Sequence, residues 1–207
     1  MERCVPLAAH PRRSTVLQAI AEHDNGWAEE DAAPRVNAAT GEVVDFVNAP
    51  ADVRQAVWPR GVSRLATDPW AAALVAQHAI VIYNRFQSDT EWAPFFSQMR
   101  TMRDAMLRAS GGRLEDLLSD YEFVRLADLT SLAFCTGWTG EQRFGDWTVR
   151  LSGTRVLAPD MFGGAEIPIE IEAKEIPNRR YRSDAELRDA LTRATTTTLR
   201  GTAASRV

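Results

Sequence analysis

Four side chains in this 207-residue sequence have the types and spacing for metal chemistry. They are the adjacent pair His23 and Asp24 in "AEHDNGW", His78 in "WAAALVAQHAIVIYNRF", and Asp128 in "ADLTSLAFC". Imidazole and carboxylate together suit a divalent ion such as Mn, Fe, Zn or Mg, and helical proteins build such sites from several helices. An ion held with open positions lowers the pKa of a bound water and polarises a phosphoryl or carbonyl oxygen, so the chemistry would be metal-assisted hydrolysis. The substrate would be a small molecule, with a phosphate-bearing one the natural candidate. Glu22 and Asp31 are the carboxylates that could serve as catalytic base. Arg35, Arg85 and Arg100 are candidates for neutralising a substrate phosphate, because guanidinium matches phosphate oxygens bidentately.

The same residues have a non-catalytic reading. An Asp at a helix end satisfies backbone donors, a buried His is satisfied by its neighbours, and Asp128 has Arg125 three residues away as an ion-pair partner. The cluster is then a structural hydrogen-bonded network, or a pocket for a small ligand. Geometry separates the two, since metal ligands must converge to roughly 2.0–2.3 Å from a common point.

Each candidate depends on the element that turns it inward. "STVLQAIAEHDNGW" places Leu17, Ile20, His23, Asp24 and Trp27 at helical spacing, with Ser14 or Thr15 as N-cap and Asn25-Gly26 as the stop. Residues 28–48 lack a sustained helical period and read as a long loop at the site entrance, with a short extended piece at "EVVDFV". A short helix over 51–65 is disturbed at Pro59 and Gly61. Asp68 caps the next helix, Pro69 suits its first turn, and Leu74, His78, Val81 and Arg85 share a stripe. Between 90 and 109, Trp92, Phe95, Phe96, Met99, Met102 and Met106 form an apolar core face. The following helix carries Tyr121, Val124, Asp128, Ser131 and Cys135 on one stripe and stops at Gly137, with Cys135 an inert small hydrophobe.

Beyond Gly137 the texture changes. "DWTVRLSGTRVL" and "EIPIEIEAKEI" read as strands, the second alternating Ile167, Ile169, Ile171 and Ala173 with polar positions. "SDAELRDALTRATTTTL" reads as a final helix with Ser183 and Glu186 as a capping box, followed by a frayed tail. The expected fold is mainly α: a single domain over 1–207, with a helical body over about 14–137 and a strand-and-helix appendage over about 145–200.

Composition narrows the classes further. A net charge of −4, with arginines scattered through helical segments, gives no footprint for nucleic acid. Two cysteines are too few for a disulfide framework, and no apolar run approaches the roughly 18 residues of a membrane span. "MERCVPLAAHPRR" lacks the apolar stretch of a signal peptide, so the expected compartment is the cytoplasm.

"AEHDNGWAEEDAAPRVNAATGEVVDF", "DPWAAALVAQHAIVIYNR" and "ADLTSLAFC" resemble blocks of the bacterial family called domain of unknown function 3891, from about residue 14 onward. That family in turn is similar to the HD-domain superfamily of metal-dependent phosphohydrolases. The resemblance implies an HD-like helical bundle with His23 and Asp24 as the ligand pair, Asp128 as the last Asp and His78 as an extra ligand. It also implies a further inward His before the pair. His10 precedes Pro11 in an irregular stretch and matches poorly, so that ligand is expected from a longer N-terminus or from a partner in a homo-oligomer, or to be missing.

Overall fold

The computed structural model describes residues 1–145 and 147–205. Its helices α1 (Val5–Ala8), α2 (Arg13–Glu22), α3 (Ala28–Ala32), α4 (Ala51–Arg64), α5 (Pro69–Ile82), α6 (Ala93–Ala109) and α7 (Leu114–Thr136) come first. Strands β1 (Gln142–Phe144), β2 (Trp147–Ser152), β3 (Arg155–Ala158) and β4 (Ile167–Glu175) follow, then helix α8 (Asp184–Arg193) and strand β5 (Thr195–Ser205).

Helix α5 is the centre of the helical layer. Every residue from Trp70 to Ala79 is buried, not one stripe alone, because the helix is apolar nearly all round and packs against α2, α4, α6 and α7. Its start follows the sequence: the Asp68 carboxylate accepts from the Ala71 N–H at 3.1 Å, with Pro69 in the first turn. The α6 face built on Trp92, Phe95, Phe96 and Met99 is buried as expected. Gly137 closes α7 in the left-handed conformation at φ 69°.

Other boundaries differ. Helix α2 begins at Arg13 with no side-chain cap and ends at Glu22, ahead of a 3-10 turn over Asn25–Trp27. Gly26 is therefore not a left-handed helix stop. It is glycine because α4 approaches it: a Cβ there would lie 2.0 Å from the Val57 carbonyl oxygen and 3.1 Å from the Gly61 nitrogen. Pro59 and Gly61 sit inside a continuous α4. The segment after Trp27 forms α3 and then turns, with Val36 and Val43 in an isolated bridge. It docks on the C-terminal region, where the Gly41 carbonyl accepts from the Tyr181 N–H at 2.7 Å and Asp184 accepts from the Val36 N–H at 2.8 Å. Ser131 and Cys135, placed on the inward stripe of α7 by spacing, are exposed; Leu129 and Ala133 take the buried positions.

The C-terminal region forms a five-stranded mixed sheet in the order β1-β2-β3-β5-β4, antiparallel except for the parallel pair β3 and β5. The expected HD-like helical bundle, mainly α with a small hairpin and a final helix, is corrected accordingly: about 52% of the chain is helix and 17% strand. The sheet is a layer of the core, because α7 packs on β2 and β3 and buries Val149, Val156 and Ala158. The last element is a strand. Thr195–Thr198 are β-branched and leave the helix for the sheet, and β5 pairs with β4 over nine positions. Gly201 permits that path, since a Cβ would lie 2.3 Å from the Phe134 ring and 2.4 Å from the Thr154 carbonyl oxygen. The alternation read in β4 holds, and Ser183 caps α8 by accepting from Glu186 N–H at 3.3 Å. Asp146, in the stretch read as the first strand, and Arg206 and Val207 of the tail lie outside the described residues.

The N-terminal segment is fastened by a buried carboxylate on α7. Asp120, 1% exposed, accepts from Arg12 Nε at 2.6 Å, Arg12 Nη2 at 3.1 Å and Trp70 Nε1 at 2.9 Å, with His10 Nε2 at 3.2 Å. Among the described residues, no helix is long and apolar enough to cross a membrane.

Candidate metal centre

Three of the four candidate ligands meet. His23 stands at the C-cap of α2, His78 on the buried helix α5, and Asp128 on α7, and one ligand atom from each lies within 4.8 Å of the other two. His78 and Asp128 are buried, while His23 keeps 15% of its side chain exposed and is the open side of the cluster.

The two imidazoles present the same atom to one carboxylate. His23 Nε2 is 3.7 Å from Asp128 Oδ1, and His78 Nε2 is 3.8 Å from Asp128 Oδ2. The rings are nearly perpendicular, with centroids 5.1 Å apart. Both distances exceed a hydrogen bond. By comparison, ligand atoms roughly 2.0–2.2 Å from one ion stand about 3.0–3.5 Å apart at octahedral to tetrahedral angles.

The remaining ring nitrogens are fixed from behind. His23 Nδ1 is 2.8 Å from the Ile20 carbonyl, which can only accept, so Nδ1 carries the proton and Nε2 is the free donor atom of the neutral ring. His78 Nδ1 is 3.1 Å from the Tyr121 hydroxyl, and Trp58 packs against the ring at 5.6 Å. Backing of this kind orients metal-binding imidazoles. Asp128 Oδ2 accepts from Arg125, one turn earlier on α7.

The other candidates divide. Asp24 is outside the triangle: its side chain is 61% exposed and its carboxylate ion-pairs with His23 Nε2 at 3.1 Å when that ring is protonated. Glu22 is exposed on the last turn of α2. Asp31 is near enough to Asp24 to feel its charge, and partial burial followed by the charges of Asp24 and Glu30 holds its carboxyl above the usual range. Arg35 pairs with Glu30, Arg85 lies over the Phe86 ring and Arg100 over the Phe96 ring, so their contacts are away from the cluster. Spacing missed Tyr121 as a partner of His78, although it was placed on the inward stripe of the same helix as Asp128.

Charge inside the cluster is uneven. Burial pulls the His23 imidazolium down, but the facing carboxylates of Asp128 and Asp24 outweigh it and push its pKa up from 6.5 to about 10. Burial depresses His78 to about 4, so it is neutral at pH 7. Burial raises Asp128, yet the facing His23 imidazolium and the nearby positive charges bring it below the usual carboxylate range.

These shifts set a pH dependence in chelator. His23 binds its proton more tightly folded than unfolded, so its contribution to stability is complete below about 6.5 and is lost as pH rises through about 10. His78 stays neutral in the fold, so stability falls from about 6.5 toward about 4. The melting temperature in chelator is expected to peak near pH 6.5 and decline on both sides. His23→Gln flattens the alkaline limb; a slope there unchanged by His23→Gln refutes the assignment.

A family model described as "Protein of unknown function (DUF3891)" matches residues 6–184, a span that includes His23, His78 and Asp128. No curated protein and no solved structure matches the chain.

Proposed function

This chain belongs to the DUF3891 family, and from its own geometry we propose a metal-dependent hydrolase whose divalent ion is held by His23 and His78 through Nε2 and by Asp128 through its carboxylate. The observation that carries it is the convergence of two backed imidazole nitrogens on one carboxylate at separations too long for hydrogen bonds. Two imidazoles with one carboxylate favour Zn, Mn or Fe over Mg. Three protein ligands leave a position for water or substrate. When bound, such an ion supplies Lewis acidity and lowers the pKa of its water.

The protein residues then have distinct roles. His23 gives up its proton to become a ligand, so metal binding releases a proton and strengthens with rising pH. Asp24, exposed beside the same nitrogen, pairs with the His23 imidazolium until metal takes the place of that proton. Asp31, with its raised carboxyl, is the better placed of the two candidate proton carriers, Asp31 and Glu22, since it feels the charge of Asp24 beside His23. A small-molecule substrate enters from the His23 side, the open face of the cluster. A phosphate-bearing substrate has Arg125 close at hand, while Arg35, Arg85 and Arg100 would have to leave their present contacts to reach it.

The rival is a self-satisfied network, favoured by Arg125 on Asp128 and Asp24 on His23. Elemental analysis of protein purified without chelator separates the two. Near one transition-metal ion per chain, lost in His23→Ala, is the expected result, with metal-dependent turnover of chromogenic phosphate or carboxylate esters. A wild type that holds no Zn, Mn or Fe after reconstitution refutes the metal centre and leaves the network.

A further inference from the structure

We propose that the free edge of β5 pairs with the same edge of a second copy of this chain, forming a two-fold dimer centred on Thr197. β5 is held on both sides only over its last residues, where β3 pairs with Thr202–Ser205. The Thr202 N–H still reaches the Thr154 carbonyl at 3.0 Å, in the turn between β2 and β3. Before that point β5 runs on past the turn, paired among the described residues with β4 alone, and Thr195–Arg200 are all exposed. Such an edge presents unpaired backbone donors and acceptors, and what satisfies them is another strand.

The two outer edges of this sheet region are built differently. β4 carries Pro168 and the charged Glu170, Glu172 and Lys174 at its exposed positions. Antiparallel pairing of β4 with its copy about Ile171 would set Glu170 against Glu172, a like-charge pair that opposes association. β5 has neither device: Thr195–Leu199 hold no charge, no proline and no glycine. Arg200, the first charge, is already neutralised by Glu170 at 3.0 Å.

The face pattern restricts the register, and the uncharged run Thr195–Leu199 has its midpoint at Thr197. Leu199 pairs with Ile171 and Thr197 with Ala173, so these residues share the apolar face of the ribbon, and Leu199 is 40% exposed. A two-fold axis normal to the sheet keeps that face continuous only when odd positions meet odd positions. Centred on Thr197, it sets Thr197 against its copy, Leu199 against Thr195 and Thr196 against Thr198. No like charges meet, and the contact pairs uncharged β-branched residues that suit a sheet. The contact is short, so the dimer is expected to dissociate on the order of micromolar concentration.

Sedimentation velocity over a wide concentration range, with the full chain, tests this. Wild type is expected to pass from monomer to dimer. Thr197→Lys, which sets two ammonium groups across the axis, is expected to stay monomeric with an unchanged circular dichroism spectrum and melting temperature. In a Cys135→Ser background, Thr197→Cys is expected to cross-link to itself under mild oxidation and Thr196→Cys is not, because only directly opposed residues lie within disulfide reach. A wild type that is monomeric throughout overturns the proposal. So does a dimer that Thr197→Lys leaves intact, or cross-linking at 196 in place of 197.

Discussion

Asp128→Asn is expected to take metal occupancy from near one ion per chain to none. Asp128 is the shared element of the cluster: one oxygen faces His23, the other faces His78 and accepts from Arg125. An amide keeps the shape but donates from one of those two positions and carries no charge, so it cannot complete a site for a divalent ion. The same change leaves the His23 imidazolium with Asp24 alone and Arg125 without its counter-charge. Breaking a buried pair costs about 3–5 kcal/mol, and roughly 2–3 is expected here because Arg125 and His23 both keep some contact with water. Arg125→Gln is the control, since it removes the ion pair and leaves every proposed ligand in place. It should lower the melting temperature and retain most of the metal. Equal metal loss in the two variants would mean that the cluster's order, rather than its ligands, governs binding. On the network reading the wild type holds no metal, and Asp128→Asn changes stability alone.

The parts of this arrangement that local spacing governs were legible in the sequence. The Asp68 cap, the inward places of Leu74 and His78 on α5, the Gly137 stop and the alternation in β4 are each set by residues a few positions apart, although Arg85, read on the same stripe, lies exposed beyond the end of α5. So is the inward aim of His23, His78 and Asp128, which is why three helices could be expected to bring them together. What spacing does not encode is which elements meet. Gly26 read as a helix stop because its real cause, the backbone of α4, lies about one helix further along the chain. The threonines of 195–198 read as the end of a helix because their partner, β4, precedes them by a long connection that includes α8. Asp24 read as a ligand because adjacency to His23 does not tell that α2 ends at Glu22 and turns Asp24 outward.

Asp120 is the clearest case of a residue invisible to spacing, and Asp120→Ala is expected to be the most destabilising single change away from the cluster. Its partners come from opposite parts of the chain: Arg12 is 108 residues away and Trp70 is 50. Arg12 binds the carboxylate with two nitrogens and also lies over the Trp70 ring at 4.5 Å, so carboxylate, guanidinium and indole hold one another. His10 fits the same geometry, because its Nδ1 accepts from the Arg12 N–H and leaves Nε2 to face Asp120. Removing the carboxylate orphans the Trp70 N–H in the core and leaves Arg12 unpaired, a loss of about 2–4 kcal/mol once the 35% exposure of the Arg12 side chain is allowed for. At 2–4 °C per kcal/mol for a domain of this size, the melting temperature should fall by roughly 10 °C. Asp120→Asn keeps an oxygen for Trp70 and should recover part of that loss. Protease resistance of residues 1–12 should fall in parallel, because Asp120 is what fastens His10 and Arg12 to α7. A melting temperature within a degree or two of wild type in Asp120→Ala would show that the N-terminal segment is held by Cys4 and Leu7, both buried in the core, and not by this carboxylate.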